Sequence, residues 1–546
     1  MLSKLISQFS ISLWWPWLLL GVVAPLIVKR AMRNASKEAK IRQCGGHAPQ
    51  YRGWLPFGLS FIVDFRSAVS SDDCLKFCSN TFVRLCRGRK NPYTVEATVA
   101  GQRIIVTADP ENIKAILATQ FWEFEKGAKF RRDWVDMLGH SIFNSDGQAW
   151  HDARARLRPV FSRERISDLE CFERHVQDLL PLLGTEGETV DMKDLSLRFT
   201  LDASADFTLG ANLETLKKPE NEFGACFERS RHFKVQRERS APFKFLVPKS
   251  RYLPYIQYIE FFMDPIIQET MEQVKAEAAG QRPSKKQRGY TLLHACAEIS
   301  TDQRFLRDEL ITALFAGRDN TAMALTWTLY ELARHPDVVD ELRRVIETTI
   351  GFEHQPTYDD LKGMKILSNM VSETLRLYPG VPLNTRACVK DTSLPRGGGP
   401  DGDGPIGVPA GTGIIISYHM LQLNSSLYPP ASDSFPPANE WHPGRWDTWF
   451  PQPWSYIPFH GGPRFCLGQQ LAIMEISYVL VRIFQQYSGV ELRMKETGLV
   501  EKHGSKWERR EEREPELAER FMEKRPRMAA EIMLYPRGGV RLGFLK

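Results

Sequence analysis

The sequence predicts a mainly α-helical domain with a small β-rich region, preceded by one N-terminal transmembrane helix. Three observations predict it. No residue from Leu5 to Val28 is charged, and about 20 consecutive apolar residues span a bilayer as a helix. Thr94 to Thr107 alternates and is rich in β-branched residues, the pattern of a hairpin turning at Gly101. Beyond it the periodicity is helical, with short breaks, to about Lys390.

In chain order, the anchor comes first. Ile11 to Val28 is nearly continuous apolar sequence with Trp14, Trp15 and Trp17, residues typical of a membrane interface. Pro16 and Pro25 kink such a helix without excluding it. Lys4 alone precedes it, whereas Lys29, Arg30, Arg33, Lys37, Lys40 and Arg42 follow. By the positive-inside rule the rest of the chain faces the cytosol. Residues 1–28 are therefore expected to be the anchor, 29–50 a basic linker and 51–546 the globular domain. No linker divides that domain in its middle.

The net charge of +6 is modest and mixed along the chain, and no nucleic-acid motif appears, so nucleic acid is not an expected partner. Nine cysteines, an odd number without a repeated spacing, argue against a disulfide framework and for the reducing cytosol. Cys74 and Cys78 are spaced i, i+4 on an expected helix, with no histidine nearby to complete a zinc site. Gly402 to Gly407 fits G-x-G-x-x-G, but no helix follows and Asp401 and Asp403 would repel phosphate, so a turn between strands is expected. Lys495 to Arg527 is dense in both charge signs, an exposed charged insert. Ile532 to Leu545 has the pattern of a closing hairpin.

Four stretches carry chemistry. The first is Phe459-His460-Gly461-Gly462-Pro463-Arg464-Phe465-Cys466-Leu467-Gly468, where glycines and a proline allow a tight turn ahead of an apolar helix over Leu471 to Phe484. A thiol there is favoured as thiolate by the helix dipole. Alone, it is a nucleophile, a metal ligand or a buried cysteine. The second is Trp150 and Arg154, on one face of a helix by their i, i+4 spacing. The third is Ala316-Gly317-Arg318-Asp319-Asn320-Thr321 inside a buried helix from about Arg304 to Arg334, with Ser300 and Gln303 spaced as a capping box. Glycine and an Arg-Asp pair are both costly there, so either the pair neutralises itself in a kinked helix or the segment has a function. The fourth is Glu373-Thr374-Leu375-Arg376, opposite charges at i, i+3.

The spacing F-x-x-G-x-R-x-C-x-G is met at all five fixed positions, and this stretch resembles the haem-binding loop of the cytochrome P450 family. The other stretches resemble that family's motifs in its order. The resemblance implies haem b (iron protoporphyrin IX) with Cys466 as axial thiolate ligand, which favours O–O cleavage. Phe459, Arg464 and Gly468 shape its loop; Trp150, Arg154 and Arg386 face its propionates. It implies oxygen activation at Ala316, Gly317, Asp319, Asn320 and Thr321, where Asn320 replaces the usual threonine. Glu373 and Arg376 are implied to form a buried network with Arg445, although Gly444 stands where glutamate is usual.

The fold implied is a mainly helical prism with a small β-rich region. The activity implied is monooxygenation of a hydrophobic substrate with O2. Electrons would come from NADPH–cytochrome P450 reductase, with cytochrome b5 as a further partner, since no flavin domain is encoded. Arg156 and Arg158 would add charge for an acidic electron-transfer partner. Membrane-bound eukaryotic members imply a single-pass protein of the endoplasmic reticulum. The wording around Ala316 and Leu375 is similar to fungal fatty-acid and n-alkane hydroxylases. Asn320 leaves a haem-thiolate isomerase or dehydratase of hydroperoxides as an alternative, beside an oxidase tailoring a secondary metabolite and a non-catalytic haem protein. Residues from about Phe121 to Ser141 and Phe223 to Tyr258 are expected to line the pocket.

Overall fold

The structure, a computed structural model, describes residues 24–494 and 528–546, apart from 26–27, 30, 56–57, 100, 162–168, 241–242, 281–289 and 433–434. The expected anchor over residues 1–28 lies largely outside that set, as does the whole charged insert at 495–527. Among the described residues no helix is long and apolar enough to cross a membrane.

The helices that position the site are α1 (Gly127–Leu138), α2 (Gly147–Leu157), α3 (Glu170–Leu179), α4 (Met192–Leu209), α5 (Glu222–Arg239), α6 (Gln303–Leu332), α7 (Lys365–Leu377) and α8 (Gln469–Gln486). Of these, α6 organises the rest. Its 30 residues give a rod about 45 Å long at 1.5 Å per residue. Leu306, Leu310, Ile311, Leu314 and Phe315 lie in one apolar core with residues of α5. Ala322 to Leu325, Trp327, Leu329, Tyr330 and Leu332 lie in a second core with α7 and α8. Ala316 to Thr321 is the stretch between the two cores.

The α6 N-terminus corrects an expectation. Asp302, not Ser300, is the cap: its carboxylate accepts from the N–H groups of Arg304 and Phe305 at 3.0 and 3.3 Å. Ser300 Oγ instead accepts from Asp302 N. Asp302 sits two and three residues before those donors, the reach that satisfies free N–H groups of a first turn.

The expected hairpin forms as β1 (Thr94–Val99) and β2 (Gln102–Thr107). The chain continues with β3 (Phe124–Glu125), β4 (Val190–Asp191), β5 (Leu383–Cys388), β6 (Thr392–Gly398), β7 (Gly404–Val408), β8 (Gly413–Ser417), β9 (Gly489–Leu492), β10 (Met528–Ala530), β11 (Leu534–Pro536) and β12 (Arg541–Leu545). One sheet runs β1-β2-β8-β5-β3, with β2 and β8 parallel. Helical structure therefore does not persist to Lys390: α7 ends at Leu377, just before Pro379, and a strand follows. The glycine-rich stretch near Gly402 is the expected turn, joining β6 to β7.

The closing hairpin is also corrected. β11 pairs with β10, whereas β12 pairs with β4 and β9. Leu542 and Phe544 are fully buried, and Phe544 packs on Tyr487 with ring centroids 5.2 Å apart. Burial of those two side chains draws β12 away from its sequence neighbour.

Candidate active site

The cysteine loop is held from its own backbone outward. Phe459 O accepts from Cys466 N at 3.0 Å, closing a turn that contains a short 3-10 segment at Gly462–Arg464. Gly462 has φ +66°, and a Cβ there would stand 1.8 Å from Leu117 O. Only glycine allows that close backbone approach. Helix α8 begins at Gln469, two residues before the expected start. Its Gly468 N–H points at the Cys466 sulfur, and both it and Arg154 favour thiolate, but burial outweighs them and raises the thiol. Cys466 is nonetheless exposed on one side.

Positive charge converges around that loop. Arg154 donates from Nη1 to Phe465 O at 3.0 Å, while its Nη2 is buried with no partner among the described residues. Trp150 is buried beneath it. The guanidinium of Arg464 lies 4.6 Å from the Trp150 ring centre, bonds to Ser145 O and Asp146 Oδ1 at 2.8 Å, and leaves Nε buried with no partner among the described residues. Burial and the neighbouring Arg386 push Arg464 down to about 10. Arg386, on β5, donates to His460 Nε2 at 2.7 Å. Because arginine only donates, His460 carries its proton on Nδ1, which donates to Gly461 O at 2.8 Å. Burial, then Arg386, holds His460 well below the ordinary imidazole value. Lys126 is buried as well, its ammonium 4.4 Å from the Phe143 ring centre, and burial and Arg386 lower it.

The anion nearest to these cations is already engaged. Asp146 accepts from the N–H groups of Lys126 and Gly127 at 2.9 Å and pairs with Arg131 and Arg464. Three arginines and a lysine thus remain undercompensated, and buried cations need partners. A dianionic planar group fits them. The two carboxylates of haem b would supply that charge, and the glycine-lined thiol loop would supply its ligand.

The Glu373 network comes together as expected. Arg376 donates to both carboxylate oxygens at 2.8 and 2.9 Å, and Arg445 Nε donates to Oε1 at 2.9 Å. Trp446 Nε1 and His442 N complete the shell at 3.0 and 2.8 Å. Both guanidinium groups also donate to Glu440 O, so a backbone carbonyl takes up part of their donor capacity. Burial alone would raise Glu373; its two arginines hold it below the ordinary carboxylate value.

On α6, Ala316 is exposed and Gly317 and Asn320 are partly so, which makes them the open side between the cores. Asn320 Nδ2 donates to Ala316 O at 3.2 Å, and its Oδ1 lies 2.7 Å from where a Cβ on Gly380 would stand. A Cβ on Gly317 would meet Ser204 Oγ of α4 at 2.8 Å, so this glycine serves the packing of α4 on α6. Thr321 is buried, on another face. Asp319 is also buried: it accepts from Tyr535 OH at 2.8 Å and Arg318 Nη1 at 3.1 Å, with Arg231 Nε at 3.5 Å. The Arg-Asp pair therefore exists, extended by α5 and β11, and no hydrogen bond joins Asp319 to Asn320.

Several contributors escaped the sequence reading. Lys126, Asp146 and His460 are brought in by tertiary contacts, although His460 lies inside the quoted loop. Asp308 and Glu309 accept from the N–H groups of His140 and Ile142, each at 2.8 Å, and pin residues 139–142 to α6. Burial pushes Glu309 up to about 8. Within the expected pocket stretches, Phe227 stacks on Phe315 with centroids 4.1 Å apart.

The family model for cytochrome P450 matches residues 86–504. The chain belongs to the cytochrome P450 family. It is 39% identical over 490 residues, 87% of this chain and 90% of the relative, to cytochrome P450 monooxygenase pvhE of Talaromyces variabilis. It is 33% identical to cytochrome P450 52A3-B of Candida maltosa, covering 87% and 92% of the two chains. Among solved structures it resembles the cytochrome P450DA haem domain, with a TM-score of 0.65, 19% identity and coverage of 86% and 92%; that likeness concerns the fold. The protein is a P450 monooxygenase that uses haem b with a cysteine thiolate ligand, O2, a hydrophobic substrate and a redox partner reductase.

Proposed function

We propose that this P450 hydroxylates a fatty acid or an alkane, with Cys466 as the thiolate ligand. The observation that carries the reading is the open face of α6 at Ala316 and Asn320, set between two apolar cores and flanked by Phe315 and Phe227. An apolar chain is placed there by burial alone, worth about 25 cal/mol per Å². The wording around Ala316 and Leu375 supports the same substrate class. Bound haem b supplies the oxygen activation. The residues have separate tasks: Arg154, Arg386 and Arg464 would hold the carboxylates of haem b, while Glu373, Arg376 and Arg445 fix residues 436–446. Asn320 both donates and accepts, and holds a proton-bearing water at the open face. Asp319, with Arg318, Arg231 and Tyr535, keeps that part of α6 in register.

The reading extends to the cell: residues 1–28 as a single-pass anchor in the endoplasmic reticulum, the domain over 51–546 in the cytosol, and NADPH–cytochrome P450 reductase with cytochrome b5 as electron donors. Asn320 in place of threonine favours one second reading, rearrangement of hydroperoxides without reductant, which turnover in the absence of NADPH would reveal. Substrate class is tested by spin-state titration of the purified haem protein. Medium and long fatty acids or alkanes are expected to give a saturable low-to-high-spin shift. A shift given only by bulky polycyclic compounds would contradict the proposal and point to tailoring of a secondary metabolite.

A further inference from the structure

Away from the cysteine loop, α3 and α4 carry a second cluster of ligand-type side chains. Cys171 and His175 are four residues apart on α3 and share one helical face; Asp206 faces them from α4. One ligand atom from each lies within 4.8 Å of the other two. Cys171 and His175 are 8% and 3% exposed, while the Asp206 side chain keeps 16%, an edge open to water. Asp206 Oδ2 lies 3.0 Å from His175 Nε2 and accepts from Arg174 Nε and Nη2 at 3.2 and 2.8 Å. Its Oδ1 accepts no hydrogen bond among the described residues. The neighbouring Asp202 is engaged elsewhere, by Thr215 and Leu216.

The plain alternative is a His-Asp-Arg ion pair beside a buried thiol. Two features go beyond it. Sulfur, imidazole and carboxylate form a donor set that zinc takes at about 2.0–2.3 Å, and a histidine–aspartate pair alone does not call for a buried thiol as its third side. Arg174 occupies only Oδ2, so Oδ1 can ligate while the Arg174 bonds persist, and His175 exchanges its Nε2 contact with Oδ2 for the metal.

We propose that Cys171, His175 and Asp206 form a binding site for zinc or a similar divalent cation, with water as the fourth ligand. The site joins α3 to α4, which packs against α6, the helix that carries the oxygen face. Thr200 of α4 donates to Arg318 O at 2.9 Å, and Arg318 Nε donates to Leu197 O at 3.3 Å. Zinc therefore clamps α3 to the support of α6 and stabilises the holoenzyme. Because the thiol must lose its proton on binding, affinity rises with pH.

The test is equilibrium dialysis of the intact haem protein against zinc chloride, with X-ray absorption at the zinc edge and thermal unfolding. Wild type is expected to hold one equivalent with a sulfur donor and to melt higher with zinc. Cys171→Ser and His175→Ala should each lose that equivalent and the thermal shift, whereas Cys226→Ser should keep both. Asp206→Asn, which preserves side-chain shape, serves if either helix variant fails to give the thiolate-type spectrum. No bound equivalent in wild type, equal zinc in wild type and the site variants, or a zinc spectrum without sulfur would each overturn the site.

Discussion

Cys466→Ser is expected to abolish both the thiolate-type carbon monoxide spectrum and all turnover while leaving the fold in place. Serine keeps the volume and the backbone of the loop, so the bond from residue 466 N to Phe459 O and the Gly462 approach to Leu117 are untouched. What is removed is the sulfur, toward which Gly468 N–H and Arg154 direct positive charge. An alcohol in its place has no accessible anionic form near neutral pH. The undercompensated Arg154, Arg386 and Arg464 still attract the propionates, so some haem should remain bound. Absorption spectroscopy of the purified variant checks this. A preserved thiolate spectrum would mean that another cysteine is the ligand.

Glu373→Ala is expected to be the most destabilising single change among the residues named. It strands Arg376 and Arg445, both fully buried, and breaking a buried pair costs about 3–5 kcal/mol. Against a typical stability of about 5–15 kcal/mol that is a large fraction, and little folded haem protein should accumulate. Arg445→Ala should fall short of it, since Arg376 then still pairs with Glu373. Thermal unfolding of the three proteins ranks them; equal melting for wild type and Glu373→Ala would refute the network's role. The network also fixes a pH response. Because the folded Glu373 lies below its ordinary value of 4.5, its contribution is complete above that value and is lost as pH falls through the folded one.

What the sequence made legible was local. The periodicity of α6 and α8, the turn at Gly101 and the four motif spacings each depend on residues close in the chain, and each appears within two residues of its expected place. Ser300 and Asp302, two residues apart, could not be told apart by spacing, because the choice depends on which side chain reaches the free N–H groups. The partner of β12 was hidden for a different reason: β4 and β9 lie far away in sequence, and only burial of Leu542 and Phe544 selects them. Charge convergence was hidden likewise. Lys126, Asp146, Arg386 and Arg464 come from four separate segments, and the burial that lowers the three cations exists only after folding.

The most direct test of the account is a product assay with the purified full chain, a compatible reductase and NADPH, offered medium and long fatty acids and alkanes under isotope-labelled dioxygen. The account predicts one labelled oxygen in a terminal or near-terminal alcohol, formed only with NADPH. Products without label, or hydroperoxides converted in the absence of NADPH, would contradict it and make Asn320 the mark of a different reaction.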